Sequence, residues 1–510
     1  MPTPTAEQSA AIDTFRRGDH LVLQAGAGTG KTTTLSMIAA STDRRGRYIA
    51  FNKAIATEAS RKFPNNVLCK TMHALAYAAV GHRFKNRMDA PRVPGWKIGA
   101  ALGISINMRV RIGERNVTNK ALSYTVLRTV TRFCQSADPT IQRYHVPRLR
   151  GIETEHLHAQ LVDLVLPYAN RAWTDLQNPD EGVVRFDHDH YLKQWALTQP
   201  RITADFLLLD EAQDTNPVVE KVFNDQGDHT QLVMVGDSAQ AIYGWRGARD
   251  VMSGFEGTER ALSQSFRFGP ALAEEANRWL GIVDAPIRLA GTAAIDTRLE
   301  RVEQPDAILC RSNVGAMLEV MRLLDGGRRV ALVGGGESLK ALARAARDLK
   351  AGKRSTHPEL ILFDSWGELQ EYAEYDPSGR DLLPLVDLVD EHGVDVILGA
   401  VDRLAAEQDA EIVVSTAHKA KGREWASVRI GEDFTEPADQ EDTDENGDPL
   451  PGDIDDAEAR LAYVAVTRAR HQLDLGGLSW INQHPDGNPG GERPHPGSPS
   501  PWDLLGPSPS

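Results

Sequence analysis

The sequence predicts an α/β protein with parallel sheets, because three short apolar runs each lead into a segment suited to ligand binding. Residues 21–23 end a predicted strand and precede several glycines and a helix predicted over 32–40. Residues 206–209 precede two acids, and residues 231–235 precede the polar segment 236–240. Since α/β sheets bind ligands at the carboxyl ends of their strands, the three segments predict a shared binding site.

The segment after the first predicted strand has the composition of a phosphate-binding loop. Its residues are Ala25, Gly26, Ala27, Gly28, Thr29 and Gly30. Glycines permit positive φ and close backbone approach, so successive N–H groups can point at one anion, which the following helix N-terminus also attracts. Lys31 is predicted to reach the β- and γ-phosphates of ATP and Thr32 to bind Mg²⁺, with Thr33 completing the nucleotide contacts. The alternative interpretation is a glycine-rich loop without a ligand, and Ala25 stands where the strict motif has Gly.

Two carboxylates after the second apolar run predict the catalytic part of the same site. Asp210 is predicted to hold Mg²⁺, and Glu211 to polarise the water that attacks the γ-phosphate. After the third run, Gln240 is predicted to sense whether a γ-phosphate is present. Taken alone, the two acids have an alternative interpretation as an acidic turn after a core strand.

Two features predict contact with nucleic acid. Tyr243, Trp245 and Arg246 interleave aromatic rings with a cation, a combination that suits stacking on single-stranded bases. Residues 82–150 hold 14 Lys/Arg against three Asp/Glu, in a chain whose net charge is −14. A basic region inside an acidic protein is typical of a nucleic-acid footprint. The alternatives are core aromatics near a turn for the first feature and a solvated basic surface for the second.

Composition excludes other classes of protein. The chain has 510 residues, 41% of them hydrophobic and 25% charged, enough for several domains. No stretch approaches the ~20 apolar residues of a membrane span, and no secretory signal begins the chain, so we expect no membrane partner and a cytoplasmic location. Three separated cysteines indicate a reducing compartment. The cluster at 187–190, Asp-His-Asp-His, lacks a second ligand pair, so no metal site is expected there.

These segments together resemble the superfamily 1 helicases of the UvrD/Rep type, over roughly residues 5–475 and in the family's motif order. The matching segments are TAEQ, AGAGTGKTTT, YIAFNKAIATEASRKFP, KTMHALAY, LLLDEAQDTNP, VMVGDSAQAIYGWRGA, LSQSFR, AILCRSN, VVSTAHKAKGREWASVRI and EARLAYVAVTRAR. FNKAIATEASRKFP and FDHDHYLKQW, at 186–195, are similar to the F-box DNA helicase branch. Because the phosphate loop falls within the first thirty residues, we expect no F-box, no ubiquitin-ligase role, and a bacterial or phage-encoded relative.

The resemblance implies a role for each residue in a matching motif. Lys31, Thr32, Asp210, Glu211 and Gln240 keep the roles given above. Gln8 would contact the adenine edge and Glu424 the ribose, while Phe266 would stack on adenine where the family usually has Tyr. Arg267 and Arg468 would be arginine fingers for the γ-phosphate. Contact with DNA, or coupling of DNA to the ATP site, is implied for Phe51, Asn52, Thr71, His73, Tyr243, Trp245 and His418.

The resemblance also predicts two RecA-like domains with insertions. Domain 1A would comprise residues 1–80 and 201–258, interrupted at 81–200 by a basic helical subdomain, 1B. Domain 2A would comprise 259–336 and 409–482, interrupted at 337–408 by a 2B-like helical insertion that is reduced or absent. A mobile acidic loop is expected at 432–456 and a disordered Pro/Gly/Ser-rich tail at 483–510. The tail contains an apolar island, Trp-Asp-Leu-Leu at 502–505, which is either a docking peptide for a protein partner or a segment without function.

The function that follows is an ATP- and Mg²⁺-dependent translocase on single-stranded DNA. It would act as a 3′-to-5′ DNA helicase on tailed duplexes, in replication, recombination or repair. The alternative is a DNA-stimulated ATPase switch or protein-stripping translocase without processive unwinding. An RNA helicase is less favoured because the motifs match DNA-acting relatives, and no nuclease domain is expected after residue 470.

Overall fold

The chain forms two compact units in the computed structural model, which describes residues 3–89, 95–149, 151–242, 251–252, 254–355, 357, 360, 363–375, 382–440, 442 and 449–487. The first unit takes in the described residues of Met1–Leu262 and Gly352–Ser365. The second takes in those of Ser263–Ala351 and Trp366–Ser510. Each unit is built on one six-stranded sheet whose neighbouring strands are parallel.

The strands of the first unit form a sheet and a separate hairpin. They are β1 (Leu21–Ala25), β2 (Gly46–Ala50), β3 (Val67–Thr71), β4 (Arg109–Ile112), β5 (Arg115–Thr118), β6 (Phe206–Leu209), β7 (Gln231–Gly236) and β8 (Thr258–Leu262). The sheet order is β3-β2-β6-β7-β1-β8, and β4 pairs with β5 alone. Every residue of β6 and β7 is buried, which is typical of central strands covered on both faces.

The helices of the first unit pack against its sheet or belong to the insertion between β3 and β6. They are α1 (Ala6–Arg16), α2 (Lys31–Ala40), α3 (Lys53–Lys62), α4 (Met72–Ala79), α5 (Lys85–Met88), α6 (Gly95–Ala101), α7 (Asn119–Gln135), α8 (Glu155–Leu176), α9 (His188–Leu197) and α10 (Pro217–Asn224). One hydrophobic core holds Phe15, Leu35 and Phe206. The other runs from Val22 on the sheet to Leu122 and Leu161 in the insertion, so the insertion shares a core with the sheet that it interrupts.

The second unit repeats the parallel arrangement. Its strands are β9 (Arg298–Leu299), β10 (Ala307–Cys310), β11 (Val330–Leu332), β12 (Ile412–Thr416), β13 (Trp425–Ile430) and β14 (Ala469–Asp474), in the order β11-β12-β10-β13-β14-β9. Its helices are α11 (Pro270–Ile282), α12 (Asn313–Asp325), α13 (Glu337–Lys350), α14 (Trp366–Tyr375), α15 (Leu383–His392), α16 (Val394–Asp402), α17 (Ala417–Ala420) and α18 (Asp456–Val466).

The two parallel sheets confirm the predicted fold class, and the insertion differs in one detail. It contains the hairpin β4–β5 besides helices, because Val110, Ile112 and Val117 alternate with polar residues and pack inward. Strand β8 extends the first sheet beyond residue 258, where the predicted first domain ends. The tail from residue 488 lies outside the described residues. No helix in the described part of the chain is long and apolar enough to cross a bilayer.

Candidate functional site

The predicted phosphate loop connects β1 directly to α2. Gly28 and Gly30 have φ angles of 73° and 77°, in the left-handed region that favours glycine. Gly30 is the N-cap of α2, and the Thr29 hydroxyl donates to the carbonyl oxygen of Gly26 at 2.9 Å. The loop therefore turns back on itself at the N-terminus of a ten-residue helix, where backbone N–H groups and the helix dipole attract an anion.

The loop and the end of β6 bring four predicted residues together. Thr32 Oγ1 donates to Asp210 Oδ2 at 3.0 Å. Lys31 Nζ lies 4.0 Å from Glu211 Oε2. The two pairs join residues that are about 180 positions apart in the chain, because β6 and β1 both flank β7 in the sheet and end at the same edge.

The oxygen atoms of this cluster fit Mg²⁺. Burial, and after it the negative charge of Glu211, raises the pKa of Asp210 to about 6. A buried carboxylate whose charge is disfavoured in this way is a natural position for a cation. Mg²⁺ in nucleotide sites is held by one or two protein oxygens besides phosphates and water, so Thr32 and Asp210 suffice as the protein ligands. No cluster of three or more His, Cys, Asp or Glu suited to a metal occurs among the described residues.

A chain of hydrogen bonds links Glu211 to Gln240. Glu211 has φ 53° and ψ 47°, an uncommon conformation for a residue other than glycine, of the kind often found at functional sites. Gln213 Nε2 donates to Glu211 Oε2 at 2.6 Å, and Gln213 Oε1 accepts from the backbone N of Asp237 at 3.0 Å. Gln240 Nε2 donates to Asp237 Oδ2 at 2.7 Å. The predicted catalytic acid and the predicted γ-phosphate sensor thus belong to one network.

The side chain of Gln8 is buried and hydrogen bonded at both ends. Its Oε1 accepts from the backbone N of Thr5, and its Nε2 donates to Thr34 Oγ1, both at 3.0 Å. The first of these bonds is half of a capping box that begins α1. The second connects α1 to α2, the helix of the phosphate loop. Gln8 therefore lies beside the nucleotide loop, with its amide already engaged within the chain.

Two residues predicted to contact DNA are helix N-caps at the carboxyl edge of the first sheet. Asn52 Oδ1 accepts from the backbone N of Ile55 at 2.9 Å and begins α3 after β2. Thr71 Oγ1 accepts from the backbone N of Ala74 at 3.0 Å and begins α4 after β3. Phe51, beside the first cap, has 47% of its surface exposed. An exposed ring and two helix N-termini at one edge suit a strand of bases and phosphates.

His73, on α4, contacts a carboxylate that the insertion supplies. Its Nε2 lies 3.0 Å from Asp189 Oδ1 on α9. Gln135 Nε2 at the end of α7 donates to the other oxygen, Asp189 Oδ2, at 3.4 Å. Burial acts to raise the pKa of Asp189, but the hydrogen bonds from His73 and Gln135 and the charges of His73 and His190 together outweigh burial, so the net shift of this pKa is downward. The insertion thus holds a predicted DNA-contacting side chain in place.

In the second unit, Arg267 and Glu424 form an ion pair. Arg267 Nε lies 2.7 Å from Glu424 Oε2, and Arg267 Nη1 donates to the carbonyl oxygen of Thr467 at 2.9 Å. Arg470 Nη1 approaches the other Glu424 oxygen at 3.7 Å. Phe266, next to Arg267, has 47% of its surface exposed, as an adenine-stacking ring requires.

Arg468, between α18 and β14, is 2% exposed and donates hydrogen bonds to the end of α18 and to the loop after α17. Its Nε donates to the Val464 carbonyl oxygen at 2.8 Å, its Nη2 to Thr467 Oγ1 at 2.9 Å, and its Nη1 to the Arg423 carbonyl oxygen at 3.3 Å. At least three of the five N–H donors of this guanidinium are thus engaged within the unit, and a phosphate would bind through other donors or in exchange for these bonds. His418, on α17, is half-buried.

Some predicted DNA contacts lie outside the described residues, and some residues of the site were not predicted from the sequence. Tyr243, Trp245 and Arg246 lie outside the described residues. The sequence analysis gave no role to Tyr48 or Gln213, which contact Asp210 and Glu211, and it considered Asp189, which contacts His73, only as part of a cluster not expected to bind a metal. Gln213 lies inside the LLLDEAQDTNP segment and Asp189 inside FDHDHYLKQW. The motifs therefore identified these segments, but they did not predict which side chains these two residues contact.

Comparisons with known proteins agree with this geometry. Residues 8–246 match the profile of an AAA domain, and residues 380–480 match that of a UvrD-like helicase C-terminal domain. The chain is similar to F-box DNA helicase protein 1 of Schizosaccharomyces pombe, with 29% identity over 92% of this chain and 57% of the relative. It is also similar to F-box DNA helicase 1 of Gallus gallus, with 28% identity over 92% of this chain and 48% of the relative. The chain therefore spans about half the length of these curated relatives. The phosphate loop, the strand-end carboxylates and these matches together support a UvrD-like superfamily 1 helicase.

Proposed function

We propose that the chain is an ATP- and Mg²⁺-dependent translocase on single-stranded DNA that unwinds tailed duplexes with 3′-to-5′ polarity. The observation that carries the proposal is the convergence of Lys31 and Thr32 with Asp210 and Glu211 in the first unit. The names of the two relatives, both DNA helicases, support DNA as the substrate. The proposed place of action is the cytoplasm, where a bacterial or phage-encoded protein meets DNA.

The residues of the first unit divide the work of hydrolysis. The backbone N–H groups of the loop and Lys31 would hold the phosphates, and Thr32 with Asp210 would hold Mg²⁺, whose charge offsets that of the phosphates. Glu211 lies within reach of Lys31 and would orient the attacking water. Gln240 would respond to the γ-phosphate through Asp237 and Gln213, which connect it to Glu211.

The second unit would supply positive charge to the transferred phosphate. Arg267 and Arg468 are the proposed arginine fingers, and each is held in the structure by acceptors of its own unit. Glu424 would contact the ribose and Phe266 the adenine. Glu424 pairs with Arg267, so a ribose at Glu424 or a phosphate at Arg267 would compete with this ion pair.

Phe51, Asn52, Thr71 and His73 are the proposed DNA contacts of the first unit. They follow β2 and β3, which belong to the same sheet as the nucleotide loop and the acidic strand end. Bound DNA would therefore be linked to the hydrolytic residues through this sheet. Directional movement would follow if hydrolysis alternately tightened and loosened the grip on the strand. Strand displacement needs this movement, whereas a DNA-stimulated switch needs only the coupling.

The test measures ATP hydrolysis with and without single-stranded DNA, together with displacement of a labelled strand from 3′-tailed and 5′-tailed duplexes. We expect stimulation by DNA and displacement from the 3′-tailed duplex alone. Lys31→Ala and Glu211→Gln are expected to abolish both activities. Arg298→Ala, which removes an exposed ion pair with Asp296, serves as the control and is expected to leave both unchanged.

Each other outcome points to a different function. Stimulated hydrolysis without displacement from either tail would favour the switch or the protein-stripping translocase. Displacement from the 5′ tail alone would contradict the proposed polarity. Hydrolysis that DNA does not stimulate would contradict the DNA contacts proposed at Phe51 and His73.

A further inference from the structure

Tyr48 is a buried tyrosine whose hydroxyl contacts the proposed metal ligand. It lies on β2, is fully buried, and its hydroxyl donates to Asp210 Oδ2 at 2.5 Å. The strand register explains the contact, because Tyr48 is paired with Leu208 of β6, two residues before Asp210. Phe63 packs on the phenol ring, with ring centroids 4.6 Å apart. The ring is therefore fixed from two sides, and the hydroxyl has a defined position.

The Asp210 carboxylate is oriented by three donors. Oδ2 accepts from the hydroxyls of Thr32 and Tyr48, and Oδ1 accepts from the backbone N of Glu211. Thr32 is itself a proposed Mg²⁺ ligand, and the Glu211 N–H is part of the same turn as Asp210. Tyr48 is thus the donor that comes from outside both the phosphate loop and the acidic turn.

We propose that Tyr48 is a positioning residue for Mg²⁺, acting through Asp210. Its hydroxyl holds the orientation of the carboxylate that, together with the Thr32 hydroxyl, would bind Mg²⁺. Partners that orient a metal ligand typically contribute about 10- to 100-fold to metal affinity. The role rests on the proposed function, since it requires a Mg²⁺–nucleotide complex at the phosphate loop.

A simpler explanation is that Asp210 only satisfies the hydrogen bond of a buried phenol. Buried hydroxyls need a partner, and loss of one costs stability whatever the acceptor is. The two explanations differ in their predicted effect on Mg²⁺ affinity. A satisfied phenol matters to folding alone, whereas a positioning residue changes the Mg²⁺ concentration that the folded protein needs.

The experiment compares wild type with Tyr48→Phe, which keeps the ring and removes the hydroxyl. Fluorescence of a mant-labelled ADP is titrated with Mg²⁺ at fixed nucleotide, and the environment of Mn²⁺ in the same complex is read by electron paramagnetic resonance. We expect the Mg²⁺ midpoint to rise about tenfold or more, with an altered Mn²⁺ spectrum and unchanged nucleotide binding in EDTA. Phe63→Leu, which loosens the ring packing and keeps the hydroxyl, is the matched control and is expected to keep the wild-type midpoint.

Other results would overturn the role. A Mg²⁺ midpoint in Tyr48→Phe within about twofold of wild type, accompanied only by a lower melting temperature, would reduce Tyr48 to a structural residue. Equal shifts in Tyr48→Phe and Phe63→Leu would assign the effect to packing and not to the hydroxyl. A second variant, 3-fluorotyrosine at position 48, keeps the hydroxyl and must keep the wild-type midpoint to within about twofold. Wild-type protein that binds the nucleotide without any Mg²⁺ dependence would instead refute the proposed metal site itself, and this role with it.

Discussion

The contact between His73 and Asp189 predicts that the insertion strengthens DNA binding through a single carboxylate. Asp189→Asn keeps the size of the side chain and removes its charge. The imidazole of His73 would then lose the carboxylate that fixes its orientation toward a DNA phosphate or base. We expect weaker binding of single-stranded DNA with little change in the fold, because α9 keeps its own cap at Asp187.

The magnitude follows from the geometry of the pair. A hydrogen bond to a charged group contributes about 1.5–3 kcal/mol when it is buried. The side chains of His73 and Asp189 are 37% and 31% exposed, so solvent screens the interaction and about 1 kcal/mol is the appropriate value. Since about 1.4 kcal/mol corresponds to a tenfold change, the dissociation constant for DNA should rise about fivefold.

A double-mutant cycle measured by fluorescence anisotropy of labelled single-stranded DNA isolates this effect. The cycle contains wild type, His73→Ala, Asp189→Asn and the double variant. We expect Asp189→Asn to weaken binding in the wild-type background and to have no further effect when His73 is already alanine. Asp163→Asn, which breaks an exposed ion pair with Arg143 in the same insertion, is the control and should bind DNA as wild type does.

Additivity would refute the reasoning. If Asp189→Asn weakens DNA binding equally with and without the imidazole, the carboxylate acts on DNA by another route. If His73→Ala weakens binding while Asp189→Asn has no effect, then the contact does not orient His73 for DNA. Circular dichroism of all four proteins distinguishes both outcomes from loss of the fold.

Three further predictions concern separate parts of the chain. Arg267→Ala is expected to lower kcat for DNA-stimulated hydrolysis by about 10³-fold or more, the effect typical of arginine fingers, and an unchanged kcat would contradict this proposed role. Arg109 and Arg111 lie on the exposed side of the hairpin, so replacing both by serine should reduce the slope of log K against log salt by about 1.4 for single strands. Equal slopes in anisotropy titrations would exclude both from phosphate contact. Burial lowers the pKa of Lys193 to about 8. Because the unfolded chain then binds more protons above that pH, stability against urea should rise from about pH 8 to 10, and Lys193→Met should remove the rise.

The strands beside the nucleotide site could be predicted because their patterns are local. The apolar runs predicted at 21–23, 206–209 and 231–235 lie in β1, β6 and β7, since buried parallel strands need no alternation. Strand β1 continues through Ala25, which was predicted as the first residue of the phosphate loop. The hairpin β4–β5 was not predicted, because it lies in an arginine-rich stretch whose composition indicates only an exposed surface. Its period of two and its Gly-Glu turn at 113–114 were the signals that identify it. Strand β8 is half polar because it lies at the sheet edge, so its sequence resembles a loop.

The identities of the site residues followed from motifs, but their partners depended on strand order. Tyr48 meets Asp210 across 162 positions because β2 and β6 are neighbours in the sheet. Asp189 meets His73 across 116 positions because α4 packs against α9. Neither contact leaves a periodic trace in the sequence, since each joins two side chains on different elements. Long-range pairs of this kind require the fold before they can be recognised.

Many side chains that the motifs assign to ligand binding also make hydrogen bonds or ion pairs within the chain. Gln8 and Asn52 cap helices, and Arg267 and Arg468 hold carboxylate, carbonyl and hydroxyl oxygens of the second unit. A ligand that binds through these same atoms must replace the internal bonds, so its affinity is the difference between two sets of contacts. Such an exchange would suit the proposed translocase, because a ligand that only partly outcompetes the internal bonds can be released again. It also means that a binding defect in these variants must be separated from a folding defect. Asn52→Ser, which keeps a capping oxygen and shortens the side chain, is therefore a sharper test of DNA contact than Asn52→Ala.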